Sequence, residues 1–411
     1  MTKQIIRIGL LVVLPVLLVL NLWVPVANAF TEEQKLLSEV WRIVDRAYVD
    51  DTFNHQNWWF VRQKALQQPL TSREQTYEAI QKMLASLDDP FTRLLKPDQY
   101  RSLQTNTSGE LTGVGLQITQ DSETGELRVI APVEGSPADR AGLQPRDRIV
   151  KINGISTREL SLDESAERMR GPVGSRVTLT IVRGDDAPSD VLLMRDRITL
   201  NPVYAELRSP SEEAKIGYIR LTQFNANASG ELTNAVRHLE KSGANAYILD
   251  LRNNPGGLLQ AGIEIARLWL NEGTVVYTVN REGIQDSFAA AGPALTSDPL
   301  IVLVNQGTAS ASEILAGALQ DNGRAQLVGE RTFGKGLIQS LFNLSDGSGL
   351  AVTIAKYETP DHHDINRQGI VPDVVVPLEP ISRDQLGTAV DRQYQTAVEL
   401  LTKRSVVAGV S

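Results

Sequence analysis

Four patterns of hydrophobic and polar positions follow one another along the chain. Residues 1–29 are almost entirely apolar, whereas residues 30–95 place apolar side chains at helical spacing. Residues 96–186 contain short β-rich runs broken by glycine, and residues 187–411 alternate apolar strands with amphipathic helices. We therefore expect a multidomain α/β protein with a helical N-terminal region, a β-rich domain with two helices, and an α/β core that ends in a C-terminal segment.

The N-terminal segment is laid out like a secretory signal. Lys3 and Arg7 are its only charged residues, an apolar stretch runs from Ile8 to Val26, and the segment ends on Ala27-Asn28-Ala29. A basic start, an apolar centre and a small-residue end predict a signal peptide cleaved after Ala29. About 20 apolar residues can also span a bilayer, so retention of the segment as an anchor is the alternative. Both interpretations predict an exported protein.

Residues 31–87 are predicted to be helical. Thr31 with Gln34, and Ser72 with Gln75, have the spacing of capping boxes, and apolar residues recur every three or four positions after each. The sequence Asp88-Asp89-Pro90 ends the last of these helices. This pattern indicates a packing region without chemistry of its own.

The C-terminal half alternates buried strands with helices, which predicts a largely parallel sheet with crossover helices. The predicted strands are 216–221, 247–251, 300–304 and 327–328, and the predicted helices are 229–241, 258–270 and 310–320. Functional residues in such a fold are expected at the C-terminal ends of the strands.

Composition and charge exclude several classes of site. The hydrophobic fraction of 42% and the charged fraction of 22% are those of an ordinary globular protein. A net charge of −8 argues against a nucleic-acid partner. Without any cysteine the chain has no disulfide, no thiolate metal ligand and no cysteine nucleophile.

Three motifs in the middle of the chain resemble a PDZ domain over residues 96–186. They are Gly113-Val114-Gly115-Leu116, Gly135-Ser136-Pro137-Ala138-Asp139-Arg140-Ala141-Gly142-Leu143 and Asp147-Arg148-Ile149-Val150-Lys151-Ile152-Asn153-Gly154. The glycines allow the backbone N–H groups of 113–116 to face one concavity that suits a carboxylate, and the next strand offers an edge to an extended peptide. The resemblance implies that the module binds the C-terminal tail of a protein, unless it is only a spacer. A dinucleotide-binding loop is the other interpretation of Gly-x-Gly, but the third glycine and the following helix are missing.

The helix that flanks this groove is predicted at 161–170. Arg170 at its end is a candidate link between the module and the rest of the protein, or a solvated helix-end arginine.

Two blocks in the core resemble the C-terminal processing peptidase family, also called tail-specific proteases. The first is Asp250-Leu251-Arg252-Asn253-Asn254-Pro255-Gly256-Gly257, and the second comprises 304–313 with Gly334-Lys335-Gly336 and Gln339. The resemblance covers nearly all of the chain after residue 29 and implies a crotonase/Clp-like protease core. It further implies Ser310 as nucleophile, Lys335 as general base, Gln339 as its orienting partner, and the N–H groups of Gly256 and Ala311 as the oxyanion hole. Asp250, Arg252 and Glu313 accompany these motifs and are expected to form an ion-pair network that holds the loops.

These roles agree with elementary chemistry. Ser310 follows an apolar strand and opens a helix, so negative charge developing there faces helix N-terminal amides. A lysine serves as base only when neutral, and at an ordinary pKa of ~10.4 only about one in two thousand is neutral at pH 7. Burial lowers the pKa of a lysine, and Phe333, Leu337 and Ile338 are the expected apolar neighbours of Lys335. Gln339 reaches Lys335 only if the strand bends, for which Gly336 is the expected position.

Other assignments of the same residues stay open. The small-residue stretch at 307–313 is also typical of an ordinary helix cap, and Thr308 and Ser312 are rival nucleophiles. A Ser-His-Asp triad would need one of the four histidines, His55, His238, His362 and His363, of which the first two are expected at the surface. The sequence His362-His363-Asp364 has the residue types of a metal site, but no known ligand pattern supports one. We therefore expect neither a metal nor a cofactor.

Residues 46–54, 76–80 and 87–93 resemble the photosynthetic branch of the family. That resemblance implies cleavage of the C-terminal extension of the photosystem II reaction-centre precursor, in the thylakoid lumen or periplasm, with peripheral membrane association as a further expectation. Three alternatives remain: a general tail-specific protease for exported proteins, a catalytically idle PDZ adaptor, and a crotonase-like acyl enzyme. The sequence shows no coenzyme-binding signature in favour of the last.

Overall fold

The fold is known from a computed structural model, which describes residues 30–121, 124–210, 214–283, 285–377, 381–382 and 385–408. The predicted signal peptide lies outside these residues. Within the described ranges, no helix combines the length and the apolar character that crossing a membrane requires.

The order of elements along the chain is mixed α/β, as predicted. The helices are α1 (Glu32–Ala47), α2 (Trp58–Leu66), α3 (Arg73–Ala85), α4 (Pro97–Ser108), α5 (Pro137–Arg140), α6 (Leu162–Met169), α7 (Ala228–Lys241), α8 (Leu259–Trp269), α9 (Ala311–Asp321) and α10 (Arg392–Ala408). The strands of the first half are β1 (Arg93–Leu95), β2 (Glu110–Gly113), β3 (Leu116–Gln120), β4 (Leu127–Pro132), β5 (Arg148–Ile152), β6 (Ile155–Ser156), β7 (Arg176–Val182), β8 (Ser189–Met194) and β9 (Asp196–Thr199). Those of the second half are β10 (Val203–Arg208), β11 (Ile216–Leu221), β12 (Ala246–Asp250), β13 (Glu272–Asn280), β14 (Gln285–Ala291), β15 (Leu300–Val304), β16 (Gln326–Gly329), β17 (Leu337–Asn343), β18 (Gly349–Glu358) and β19 (Val374–Val375).

The N-terminal helices form the expected packing region. Thr31 and Gln34 make a complete capping box at the start of α1. At the start of α3 the box is incomplete, because the Gln75 side chain accepts from Thr71 instead of Ser72. The apolar faces of α1 and α3 pack on β18 through Leu350 and Val352, so this region braces the sheet that carries part of the site.

The middle domain is a five-stranded antiparallel sheet, β3-β4-β5-β7-β8, with β6 added beside β5. Its own apolar core runs from Val114 to Leu193. Since β8 pairs along β7, the sheet extends to Met194, beyond the predicted boundary at residue 186. β3 is an edge strand of this sheet, and α6 lies against it.

The C-terminal domain is built on a six-stranded sheet in the order β10-β11-β12-β15-β16-β19. All of its pairs are parallel except β10 with β11. Helices α7, α8 and α9 cover one face, and α10 covers the other through Tyr394, Ala397 and Leu401. The predicted parallel sheet with crossover helices is therefore confirmed.

A second sheet, β1-β18-β13-β14 with β17 beside β18, stands next to this core. The register of β17 against β18 shifts between Ile338 and Gln339, which is a β-bulge. The segment 330–336, which enters β17, crosses the N-terminal end of α9, so the two sheets meet where strand β15 ends.

Candidate active site

Ser310 sits on a sharp turn between β15 and α9. Its backbone has φ 57° and ψ −118°, a conformation that residues with a side chain rarely adopt and that costs on the order of 1–3 kcal/mol. The backbone N–H of Ser310 donates to Glu313 Oε2 at 2.9 Å. The turn leaves the Ser310 side chain half-buried in a cavity at the C-terminal edge of the parallel sheet.

The two rival hydroxyls in this stretch are fully buried and engaged. Thr308 Oγ1 donates to the carbonyl oxygen of Leu251 at 2.9 Å, and Ser312 Oγ donates to that of Asn254 at 3.0 Å. Both side chains thus fasten the 250–256 loop to the turn that carries Ser310. Ser310 alone of the three lines the cavity.

Gly256 packs directly against the Ser310 turn. Its φ is +93°, and a Cβ atom there would lie 2.6 Å from the carbonyl oxygen of Ala309 and 2.9 Å from the Ala311 nitrogen. The N–H of Gly256 donates to Asn254 Oδ1 at 3.0 Å. Ala311 is the first residue of α9, so its N–H lies outside the helical ladder. Of the two predicted oxyanion donors, Gly256 therefore already has an acceptor.

Lys335 lines the same cavity as Ser310. Among the residues that the structure describes, its ammonium donates no hydrogen bond and lies instead 4.9 Å from the ring centroid of Phe91. Burial lowers the pKa of Lys335, and the positive charge of Arg93 adds to the effect. The lysine thus has an environment that lowers its pKa, as a general base requires, and among the described residues its ammonium has no hydrogen-bond acceptor.

Two of the three apolar neighbours expected for Lys335, Leu337 and Ile338, line the cavity with it. The third, Phe333, is 57% exposed and does not line the cavity, and the aromatic ring beside the ammonium is that of Phe91. The irregularity in the strand lies between Ile338 and Gln339, not at Gly336. Gln339 lines the cavity, but its side-chain amide donates to Thr353 Oγ1 at 3.3 Å.

Glu313 connects the two predicted catalytic residues. It is fully buried in α9, and its Oε2 accepts from the backbone N–H groups of both Ser310 and Lys335, each at 2.9 Å. Its Oε1 accepts from the Thr332 hydroxyl and from the Gly334 N–H. Glu313 is therefore an acceptor for four donors and makes no ion pair in the described ranges, which differs from the expected ion-pair network.

Asp250 and Arg252 do form a buried ion pair, at 2.6 Å. Arg252 also pairs with Asp391 at 2.7 Å and donates to Gln393, both at the start of α10. Tyr218 completes the cluster by donating to Asp250 at 2.7 Å. The cluster fixes the end of β12, from which the Gly256 loop departs, to the C-terminal helix.

None of the four histidines lines this cavity, and His55 and His238 are exposed, as expected. His362 bonds to Glu358 at 2.9 Å and stacks on Tyr277 with ring centroids 4.3 Å apart. No group of three or more metal-ligating side chains occurs in the described part of the chain.

The predicted carboxylate site, residues 113–116, lies at the end of β2 and the turn into β3. Gly115 has φ +77°, and a Cβ there would lie 2.2 Å from Cβ of Ser136. The carbonyls of Val114 and Gly115 accept from the N–H groups of Ala138 and Val133. In a trans peptide the N–H and the C=O point in opposite directions. The N–H groups of Gly115 and Leu116 therefore face away from the segment 133–138 that donates to these carbonyls.

The other two residues of the predicted carboxylate site have different surroundings. Gly113 belongs to β2 and pairs with Asp196, while the side chain of Val114 is buried in the domain core. Arg170 contacts Glu167 at 3.5 Å, and Glu167 also pairs with Arg101 of α4. Arg170 thus belongs to a charged contact between α6 and α4, outside the catalytic cavity.

A cavity of about 450 Å³ holds the predicted catalytic groups. Ser310, Lys335, Gln339, Gly256 and Ala311 all line it. A strained serine at a helix start, a half-buried lysine and helix N-terminal amides in one cleft form the arrangement of a serine hydrolase that attacks an acyl group.

Comparison with known proteins agrees with this class. Residues 215–376 match the model of peptidase family S41, and residues 128–183 match that of a PDZ domain. The chain is 61% identical over 386 residues to the carboxyl-terminal-processing protease of Picosynechococcus sp., covering 94% of this chain and 93% of that protein. It is 47% identical to the chloroplastic carboxyl-terminal-processing peptidase 2 of Arabidopsis thaliana, with 91% and 76% covered.

Among solved structures, a photosystem II D1 C-terminal processing protease matches with TM-score 0.55 and 43% identity, over 85% of this chain and 94% of that one. The protein is thus a serine peptidase with a PDZ domain. The chain belongs to peptidase family S41, among the carboxyl-terminal-processing proteases of cyanobacteria and chloroplasts.

Proposed function

We propose that the protein cleaves peptide bonds with a Ser310–Lys335 dyad. The observation that carries this proposal is the strained turn that exposes Ser310 to a cavity that half-buried Lys335 also lines. Neutral Lys335 takes the Ser310 hydroxyl proton as Oγ attacks the scissile carbonyl, and a tetrahedral oxyanion forms. The protonated lysine then gives its proton to the leaving amine, which leaves an acyl-enzyme that water hydrolyses by the reverse transfers.

The oxyanion is proposed to bind the N–H groups of Ala311 and Gly256. Ala311 brings the positive end of α9 to the site. Gly256 has to share its N–H with Asn254 Oδ1 or release it, and Lys335 has to move from the face of Phe91 to Ser310 Oγ. Gln339 is proposed to orient the lysine once it leaves Phe91.

The PDZ domain is proposed to select the free C-terminus of the substrate. Support comes from the open edge of β3, the adjacent helix α6 and the outward-facing N–H groups of Gly115 and Leu116. An extended tail adds to β3 while its carboxylate takes these donors. We propose a PDZ domain over residues 96–186, extended to Met194 because β8 belongs to its sheet. The protease core follows Met194.

The substrate is proposed to be the photosystem II reaction-centre precursor, in the thylakoid lumen or periplasm. The support is the likeness to the photosystem II D1 C-terminal processing protease and to chloroplastic relatives. Mass spectrometry of a deletion strain tests this directly: the precursor should accumulate uncut. Accumulation of many unrelated exported proteins would indicate a general tail-specific protease instead.

The dyad is tested by three substitutions in one peptide-cleavage assay. Ser310→Ala should abolish cleavage because it removes the proposed nucleophile. Lys335→Arg should also abolish cleavage, because the guanidinium stays protonated and cannot act as a base. Ser312→Ala should retain activity, because the Asn254 carbonyl that accepts from its hydroxyl also accepts from the Ala309 N–H, which keeps the loop in contact with the Ser310 turn. If Ser312→Ala were inactive and Ser310→Ala active, the nucleophile would have to be assigned to Ser312. A wild-type kcat in Lys335→Arg would contradict the assignment of Lys335 as base.

A further inference from the structure

Tyr357 of β18 contacts both predicted catalytic residues at their carbonyl oxygens. Its hydroxyl oxygen lies 3.2 Å from the Ser310 carbonyl oxygen and forms a short hydrogen bond with that of Lys335. The Tyr357 N–H also donates to the carbonyl of Gly336 at 3.1 Å. The phenol is therefore held in the space between the serine turn and the lysine segment.

Glu313 makes the complementary contacts on the N–H side. One carboxylate oxygen accepts from the N–H of Ser310 and from that of Lys335. Both backbone N–H groups thus donate to Glu313, and both carbonyl oxygens lie within hydrogen-bond distance of the Tyr357 hydroxyl, which donates its single proton to one of them at a time. The two segments come from different parts of the chain, and these side chains bind them together.

We propose that Tyr357 is a positioning residue for the dyad, holding the Lys335 segment in register with the Ser310 turn through its hydroxyl. The inference rests on the proposed Ser310–Lys335 function. It concerns a residue that contacts backbone atoms of the catalytic residues and not the reacting atoms.

The burial of the phenol suits it for this role. Tyr357 is 1% exposed, and burial raises its pKa well above the ordinary value, with the charge of Glu313 acting in the same direction. The hydroxyl therefore stays a donor at every working pH. A phenylalanine would fill the same volume, so the hydroxyl itself carries the positioning.

Tyr357→Phe in the full chain tests this, with Tyr77→Phe as matched control. Tyr77 is also buried, and its hydroxyl donates to Asp346 at 2.7 Å, in a helix remote from the cavity. Tyr357→Phe should lower kcat on a tail peptide by about 10- to 100-fold with KM nearly unchanged, because small misplacements of reacting groups cost this much. Tyr77→Phe should leave both constants near wild type.

The pH profile separates positioning from a merely structural role. Asp89, Arg93 and Glu313 are the charged groups that face Lys335, and burial is the main cause that lowers its pKa. If the lysine segment loosens and admits water, that pKa moves up towards its ordinary value. The acid limb of kcat/KM should then shift to higher pH in Tyr357→Phe and stay in place in Tyr77→Phe.

Replacement of Tyr357 by 4-aminophenylalanine restores a donor and should recover most of the lost kcat. Equal kcat and an unmoved acid limb in Tyr357→Phe would overturn the proposal. The proposal would also be overturned if the 4-aminophenylalanine variant did not recover activity. This second comparison still applies if Tyr357→Phe does not fold. Activity in Ser310→Ala would instead overturn the proposed dyad, so the two failures are distinguishable.

Discussion

At the scale of a single residue, the surroundings of Lys335 have opposite effects on its charge. As a base it has to be neutral, and burial favours the neutral form; yet the Phe91 ring face, 4.9 Å away, favours the cation. The positive charge of Arg93 also disfavours the cation. If Lys335 is the base, the pH at which the enzyme becomes active should therefore depend on Phe91 and Arg93, which line the same cavity.

Arg93→Gln should move that pH upward. Removal of the positive charge lets the pKa of Lys335 rise, so a higher pH is needed to make the base neutral. The acid limb of kcat/KM should shift to higher pH, while the rate at the alkaline plateau stays close to wild type. Arg101→Gln, which breaks only a surface pair with Glu167, is the control. An unchanged acid limb in Arg93→Gln would contradict the electrostatic coupling.

Sequence motifs at this scale identify the residues of the cavity but not their neighbours. Phe333 is close to Lys335 in sequence and is exposed, whereas Phe91 reaches it from the turn before β1 and Tyr357 from β18. Nothing in the local pattern around residue 91 or 357 indicates these contacts, because they arise only when β1 and β17 pair with β18 in the second sheet.

At the scale of elements, fully buried strands are the easiest to predict. Leu300–Val304 is apolar throughout, and Ile216–Leu221 is nearly so apart from Arg220, because helices cover both faces of the sheet. β13, β14 and β17 have mixed exposure without strict alternation, so their hydrophobic pattern is weak. The bulge at Ile338 depends on pairing with β18 and has no local signal.

The contact between the Gly256 loop and α9 gives a prediction at the same scale. In Gly256→Ala the new Cβ meets backbone atoms of Ala309 and Ala311, so the loop and the helix start have to separate. We expect kcat to fall about 100-fold, the order of loss seen when an oxyanion donor is removed. Gly323→Ala is the control, with φ +65° but nothing within 4 Å. Equal activity of the two variants at saturating peptide would show that this contact does not matter.

The buried cluster of Arg252 fixes α10 to the parallel sheet. Asp391→Asn takes the charge from two hydrogen bonds that buried Arg252 makes, while Asp250 remains as its other partner, so the substitution should cost about 3 kcal/mol of unfolding free energy. Burial alone would raise the pKa of Asp391, but the hydrogen bonds and charge of Arg252 hold it below its ordinary value. This stabilisation is present above pH ~4 and is lost as the pH falls further.

Urea unfolding at pH 7 and at low pH measures both parts of that prediction. The difference in unfolding free energy between wild type and Asp391→Asn should be large at pH 7 and should become smaller below pH ~4. The exposed Asp185→Asn should leave the midpoint unchanged at pH 7. A gap that does not depend on pH would mean that the carboxylate charge contributes nothing.

At the scale of the whole molecule, the proposed tail-binding edge and the proposed catalytic cavity lie in different domains. If the N–H groups of Gly115 and Leu116 hold a terminal carboxylate, an amidated tail loses a charge-assisted acceptor. Such bonds contribute ~1.5–3 kcal/mol, so kcat/KM should fall roughly 10- to 150-fold. The test compares free-acid and amide forms of one peptide, which share the scissile bond. Equal rates would remove the tail-reading role and leave the dyad intact.

The central claim, that Ser310 is the nucleophile and Lys335 its base, has one direct measurement. The enzyme is treated with a fluorophosphonate, digested, and the modified residue is located by mass spectrometry. We expect the adduct on Ser310, formed at a rate that falls at least 100-fold in Lys335→Ala, because positioned acid–base groups contribute about 10²–10⁴-fold. An adduct on Ser312 or Thr308, or labelling of Ser310 at an undiminished rate in Lys335→Ala, would contradict it.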